Sequence, residues 1–272
     1  MKKKLLLCLT VAAGLLFLLS AVMLLQYYCS SARTTAWTEG LKEIALKEPR
    51  IADGQAASVP GNARPESDPE TEGTGREDLP EPPFALDFEL LRQEAPDIIG
   101  WLTCEGTAID YPVMGSRDNA DYLRRLPDGA YSYSGSLFAD CACSRDFTDP
   151  VTVIYGHNMQ DDTMLGTLPR YGEQDYYEAH PALWLLTPDG TCLAEVVAAC
   201  RTTAGSAVYS LPESPEGLSA YVAALAGQSL VEADRLSGRE SDRYLLLSTC
   251  DYSFSGARFV VLARLQRVEA AG

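Results

Sequence analysis

Two apolar stretches end in residues that can do chemistry together. Tyr244–Arg258 (YLLLSTCDYSFSGAR) runs through an apolar segment to Cys250, and Val151–Met159 (VTVIYGHNM) runs through another, past Gly156, to His157. A thiolate is the reactive form of cysteine, and a neighbouring imidazolium or guanidinium favours it by stabilising its charge. The chain has only 2 histidines, so a Cys/His catalyst has His157 or His180 to draw on. Arg258 follows Cys250 by eight residues, across the turn Ser255-Gly256, so a returning strand brings the arginine beside the thiol. There a guanidinium can hold a substrate backbone or stabilise an oxyanion.

The elements that must position these groups are rigid strands ending at a cleft. Both stretches have the length and β-rich composition of buried strands. Further short strands are expected at Gly100–Thr103, Ile109–Val113, Ser136–Ala139, Leu183–Thr187, Cys192–Cys200 and Arg258–Leu265. Pro188-Asp189-Gly190 is a hairpin turn between two of them. Phe88–Glu94 reads as a short helix stopped by Pro96. Residues 161–180 read as helical pieces broken by Gly166, Pro169 and Gly172. Pro215–Ala226 is a helix with Leu218, Val222 and Leu225 on one face. Many short strands with few helices indicate a mainly β fold, a closed barrel or sandwich dominated by antiparallel pairing.

Charge and hydropathy organise the remainder. Formal charge is −16, from 22 basic and 38 acidic residues. Residues 1–33 hold four of the basic ones (Lys2, Lys3, Lys4 and Arg33) and no acid, which leaves 18 against 38, or −20, for residues 34–272. A surface that acidic repels nucleic acid, so no nucleic-acid partner is expected. Leu5–Leu25 carries no charge, and a helix of that length spans about 30 Å, the hydrocarbon thickness of a bilayer. The lysines before it favour a cytoplasmic N-terminus and an external domain, with Tyr27 and Tyr28 at the outer interface. A cleaved signal peptide is the rival, although its apolar region is usually shorter and Ser30-Ser31-Ala32 is a poor cleavage site.

Thr34–Glu48 places Trp37, Leu41, Ile44 and Ala45 at helical spacing, a juxtamembrane helix packing on the domain, closed by Pro49. From Arg50 to Pro83 the chain turns to Pro, Gly, Glu, Asp and Ser, an acidic linker with nothing apolar to bury. The expected division is therefore residues 1–33, anchor; 34–83, helix and linker; and 84–272, a catalytic barrel that stands without the first 80 residues.

Of the 8 cysteines, Cys192 and Cys200 share one expected strand. Eight residues cover roughly 26 Å there, whereas a disulfide needs Cα atoms within about 7 Å. Cys141-Ala142-Cys143 has no second histidine or CxxC partner for a metal, and small, partly buried thiols are the simpler reading. No cofactor is called for.

Leu247-Ser248-Thr249-Cys250 with Arg258 on the next strand resembles the nucleophile motif of the sortases, and Tyr155-Gly156-His157-Asn158-Met159 the histidine motif of their class B branch. Asp97–Trp101 (DIIGW), Ile109–Val113 (IDYPV), Asp118–Leu123 (DNADYL), Gly135–Asp140 (GSLFAD) and Thr187–Gly190 (TPDG) match in the same order. The resemblance covers residues 84–268 and implies an eight-stranded β-barrel. It also implies a cysteine transpeptidase of the Gram-positive envelope, with Cys250 as nucleophile, His157 as acid/base and Arg258 beside them. Its partners would be secreted proteins bearing a C-terminal sorting signal and a cell-wall or pilin amine as acceptor. For Asn119, Leu123, Tyr155, Ser248 and Asp251 the resemblance suggests cleft-lining roles, while core packing accounts equally for Leu123 and Tyr155. His180, in Glu178-Ala179-His180-Pro181, reads as a packing histidine. The enzymatic alternative is an L,D-transpeptidase, which wants its cysteine in a Ser-x-Gly-Cys context absent here. The non-enzymatic alternative is a surface binding barrel, favoured if Cys250 is buried or disulfide-bonded.

Overall fold

The structure, a computed structural model, describes residues 2–46, 80–233 and 242–268. Most of the expected linker falls on residues 47–79, outside the described residues. Eight strands close into a barrel: β1 (Ile98–Thr103), β2 (Asp110–Gly115), β3 (Leu137–Ala139), β4 (Val151–Tyr155), β5 (Ala182–Thr187), β6 (Gly190–Thr203), β7 (Arg243–Cys250) and β8 (Ala257–Val268). Their order around it is β1-β2-β3-β4-β7-β8-β6-β5. Two pairs, β2 with β3 and β4 with β7, are parallel, and the other six are antiparallel. The hairpin at Pro188-Asp189-Gly190 joins β5 to β6, with Gly190 at φ 140°. β6 is longer than expected at 14 residues. It pairs with β8 from Thr191↔Val268 to Thr203↔Ala257, past a register shift between Val196 and Ala198.

The apolar runs follow from burial on both faces. Along β7, Leu245 and Leu247 point into the barrel, while Tyr244 and Leu246 pack outside it with Leu218, Val222 and Leu225 of the helix α4 (Pro215–Ala226). β4 and β8 alternate in the same way: Ile154, Phe259 and Val261 lie inside, and Val151, Val153, Val260 and Leu262 outside. A strand covered on both sides reads as continuous apolar sequence rather than as alternation. α4 is started by Ser214, whose hydroxyl accepts from the Gly217 amide.

The N-terminal part departs from expectation. In place of an anchor followed by a separate helix, one helix, α1 (Lys2–Ala45), runs 44 residues without interruption. No proline falls within it, and Thr34 Oγ1 bonds back to the Ser30 carbonyl at 3.0 Å, which a helix accommodates. Its first part is fully exposed and apolar, a candidate membrane span by length and composition. Its last part lies on the barrel. Ser31, Thr34, Thr38, Leu41 and Ala45, three or four residues apart, are buried. Leu41 and Ala45 join Trp101, Met114 and Leu91 in a cluster outside β1 and β2. Leu91 belongs to α2 (Phe88–Glu94), which is capped by the Asp87 carboxylate. Lys42 reaches Asp110 at 2.5 Å, and Ala45 O accepts from Asp87 N at 2.8 Å. Ile44 was expected on the packed face, but one residue is 100° of helical rotation away from Ala45, and it is 57% exposed. α1 thus adds Leu41 and Ala45 to the apolar cluster outside β1 and β2.

Leu41→Ala should lower the unfolding free energy of the full chain in detergent by about 2 to 5 kcal/mol, and Ile44→Ala by no more than about 0.5 kcal/mol. Equal costs in a denaturant titration would show that this face is not seated.

Candidate functional site

The parallel pairing of β4 with β7 sets Tyr155 against Ser248. Parallel strands leave a sheet by the same edge, so the residues after Tyr155 and Ser248 emerge together. The ladder continues past the strand ends: Gly156 N donates to Ser248 O at 3.2 Å, Thr249 Oγ1 donates to Gly156 O at 2.8 Å, and Asn158 Nδ2 donates to Cys250 O at 2.8 Å. Tyr252 Oη adds a bond to Asn158 O at 3.0 Å. Gly156 itself packs under Leu137 and Leu165, where a Cβ would stand 2.4 Å from Leu137 Cδ2 and 2.7 Å from Leu165 Cγ. On the other side, β8 returns antiparallel and pairs Arg258 with Cys250. By the period of two, Ser248 and Cys250 share the outer face of β7 with Leu246, and Arg258 shares that of β8 with Val260.

Cys250 is a partly buried free thiol. Tyr209, whose hydroxyl lies 2.8 Å from the buried Ser248 hydroxyl, is pushed up chiefly by burial. The Cys250 charge adds to that rise and the Arg258 charge opposes it. Tyr252 is likewise raised, first by burial and then by Cys250. The two tyrosines thus lie within electrostatic reach of the thiol. Arg258 Nη1 donates to Ala257 O at 3.0 Å.

His157 Nε2 lies 2.7 Å from the Leu123 carbonyl. A carbonyl only accepts, so Nε2 carries the hydrogen, and in the neutral ring Nδ1 is the basic nitrogen. Burial drives the His157 pKa below its ordinary value. The Leu123 carbonyl opposes this and the Arg124 charge adds to it. The balance favours the neutral ring. Leu123 contributes its carbonyl, while its side chain is 39% exposed.

Asp140 gathers the next pair. Its Oδ2 accepts from Tyr155 Oη at 2.8 Å and from Asn119 Nδ2 at 3.0 Å, while Asn119 Oδ1 accepts from the Cys141 amide at 2.9 Å. Asp251 lies elsewhere in function: its Oδ2 accepts from Arg201 Nε of β6 at 2.6 Å, and its Oδ1 from the Ser253 amide at 2.8 Å. It braces the Asp251–Gly256 turn that returns the chain to Arg258. His180 sits at the β1–β2 turn, with Nδ1 donating to Glu105 O at 3.1 Å and its ring 4.6 Å from that of Tyr176. Asn158, Asp140, Arg201, Tyr209 and Tyr252 were given no role in the sequence reading. Asn158 carried a signal as the neighbour of His157 in the YGHNM motif, and Asp140 as the last residue of GSLFAD. Cys104, Cys143 and Cys192 are pushed up by burial, and Cys200 to about 11. Among the described residues no group of three or more His, Cys, Asp or Glu could hold a metal ion.

No family model matches the chain. Sortase B of Listeria monocytogenes is 34% identical over 174 residues, 62% of this chain and 70% of the relative. Among solved structures, a Staphylococcus aureus sortase B–substrate complex aligns with a TM-score of 0.63 at 29% identity, over 67% of this chain and 85% of that one. Clostridium perfringens sortase B aligns with a TM-score of 0.62 at 29% identity, over 66% of this chain and 100% of that one.

Asp251 is held below the usual carboxylate range: burial would raise it, but the bonds from Arg201 and Ser253 prevail. A depressed carboxylate contributes stability above its unfolded pKa and loses that contribution as pH falls through the folded value. Asp251→Asn should therefore cost about 1 to 3 kcal/mol at pH 7, and the gap to wild type should close below about pH 4. A gap in denaturant midpoint that persists unchanged to pH 3 would contradict this.

Proposed function

The chain belongs to the class B sortase family, and from that premise we propose that it is a cysteine transpeptidase working through Cys250, His157 and Arg258. The observation that carries the reading is the shared barrel edge, where β4 and β7 deliver His157 and Cys250 together and β8 returns Arg258 opposite the thiol. With Nε2 committed to Leu123, Nδ1 of His157 takes the Cys250 proton. The thiolate adds to the carbonyl of a sorting signal near the C-terminus of a secreted protein, between threonine and glycine or a similar residue. Arg258 bears on the oxyanion or the substrate backbone. The imidazolium returns its proton to the departing amine, leaving a thioester on Cys250. An incoming amine of the cell wall or a pilin gives a proton to His157 and attacks the thioester, which frees the thiol. Tyr155 and Asn119, tied to Asp140, line the approach, and the buried Ser248 supports Tyr209 beside it. Asp251 holds the turn. A surface binding barrel would be favoured by a buried or disulfide-bonded Cys250, and a partly exposed free thiol does not lend it that support.

Variants separate the roles. Cys250→Ala should abolish turnover. His157→Ala should leave a thiol that still alkylates, with transpeptidation lower by about 10²–10⁴. Arg258→Ala should cost roughly 10²–10³. Arg258→Lys should cost less, since it keeps the charge and loses the planar fork. His180→Ala should leave the chemical step near wild type. A folded His180→Ala as inactive as His157→Ala would show the wrong histidine had been chosen, and turnover by Cys250→Ala would overturn the enzyme reading.

We further propose that Leu5–Leu25 anchors the chain with the barrel outside the cell. Protease added to intact cells should digest the barrel and spare the N-terminus. A mature chain beginning near Thr34 in the medium would contradict an uncleaved anchor.

A further inference from the structure

His157 is held between two loops. One, residues 156–166, carries it. The other, residues 121–136, offers the Leu123 carbonyl. Among the described residues the hydrogen bond from His157 to Leu123 is the only one that joins them. Each loop has its own internal bracing near that bond. Leu165 N donates to His157 O at 3.0 Å, Ser132 N to Arg124 O at 3.0 Å, and Ser136 N to Tyr122 O at 3.0 Å.

One stretch of α1 touches both loops. Tyr27 Oη accepts from the Gln160 amide at 3.1 Å, and Ser31 Oγ donates to Asp161 Oδ2 at 2.6 Å. On the next ridge of the same helix, Ser30 Oγ accepts from the Tyr133 amide at 2.6 Å and lies 2.9 Å from Ser132 Oγ. Thr34 Oγ1 lies 2.9 Å from the hydroxyls of both Ser132 and Ser134. Ser31, Thr34, Ser132 and Ser134 are buried, so this seam is built of satisfied polar groups shielded from water. Residues 27, 30, 31 and 34 are one helical stripe, and α1 presents successive turns of it to the two loops.

We infer that the Tyr27–Thr34 stretch of α1 positions His157, clamping the loop that carries the ring to the loop that receives its Nε2–H. The helix holds the seat of the imidazole, so that Nδ1 keeps its direction. The stretch begins two residues beyond Leu25, about 3 Å along the helix, so the segment that would anchor the chain also sets the histidine. The consequence for catalysis rests on the proposed role of His157. The placement of the ring does not.

The test reads the ring directly. In the full chain in detergent, ¹³C-labelled histidine gives two NMR titrations, and His180→Gln assigns the signal of His157. In wild type the ring is half-buried, and Arg124 is the charged group that bears on it. In a Ser30→Ala, Ser31→Ala, Thr34→Val variant, the His157 midpoint should rise toward the ordinary imidazole value as water reaches the ring. Its line should broaden, and His180 should titrate as before. An unchanged His157 midpoint and line width overturns the inference, as does an equal movement of His180. Should circular dichroism show the triple variant unfolded, Ser31→Ala alone must raise the midpoint and Ser31→Thr must restore it. Failure of either overturns the inference. The readout needs no substrate, so it stands apart from whether the chain turns over a sorting peptide.

Discussion

The parallel register of β4 on β7 is the constraint from which the site follows. Antiparallel neighbours would send His157 and Cys250 to opposite ends of the barrel, whereas parallel ones release both at one edge. The antiparallel return of β8 then sets Arg258 opposite Cys250. Because side chains alternate, Ser248, Cys250, Arg258 and Val260 fall on the outer face, and Leu247, Phe259 and Val261 fill the inside. A slip of one residue in β7 would bury the thiol in the barrel. α4 covers this outer face over Leu246 and Leu262 and leaves its Cys250 end partly open.

Main-chain groups do much of the holding. The Leu123 carbonyl fixes the imidazole tautomer, Asn158 and Thr249 tie the His157 loop to the end of β7, and Gly156 makes room for Leu137 and Leu165. Each of these bonds joins a side-chain donor to a main-chain carbonyl, and the barrel sets the course of the chain that presents the carbonyl. Partial burial of the ring favours its neutral form, which leaves Nδ1 able to take a proton in the proposed chemistry.

What could be read in the sequence was whatever repeats along it. The apolar runs of β4 and β7, the turn at Pro188-Asp189-Gly190, and the stripe of Leu218, Val222 and Leu225 in α4 each signal through local period or turn chemistry. The ends of β6 and β8 were underestimated because they continue into Thr202, Thr203, Gln266 and Arg267, polar residues that the long ladder carries along. Ile44 was misplaced because an apolar residue one position from Ala45 fits the composition of the face but not its rotation. The bond of Asp251 to Arg201 joins residues 50 apart, and that of Ser30 to Ser132 joins residues 102 apart. Serine and threonine on a helix give no sign of whether they face water or a neighbour. The seam between α1 and the barrel was for that reason hidden until the fold placed the loops against it.

The central claim is that Cys250 carries the acyl group. Incubating the full chain in detergent with a library of peptides that end in candidate sorting pentapeptides, then digesting and weighing the fragments, tests it at the atom concerned. The expected result is the N-terminal half of a cleaved peptide on the Cys250 fragment, released by hydroxylamine as a thioester would be. An acyl adduct on any other side chain, or peptide transfer while Cys250 stays unmodified throughout, would contradict it.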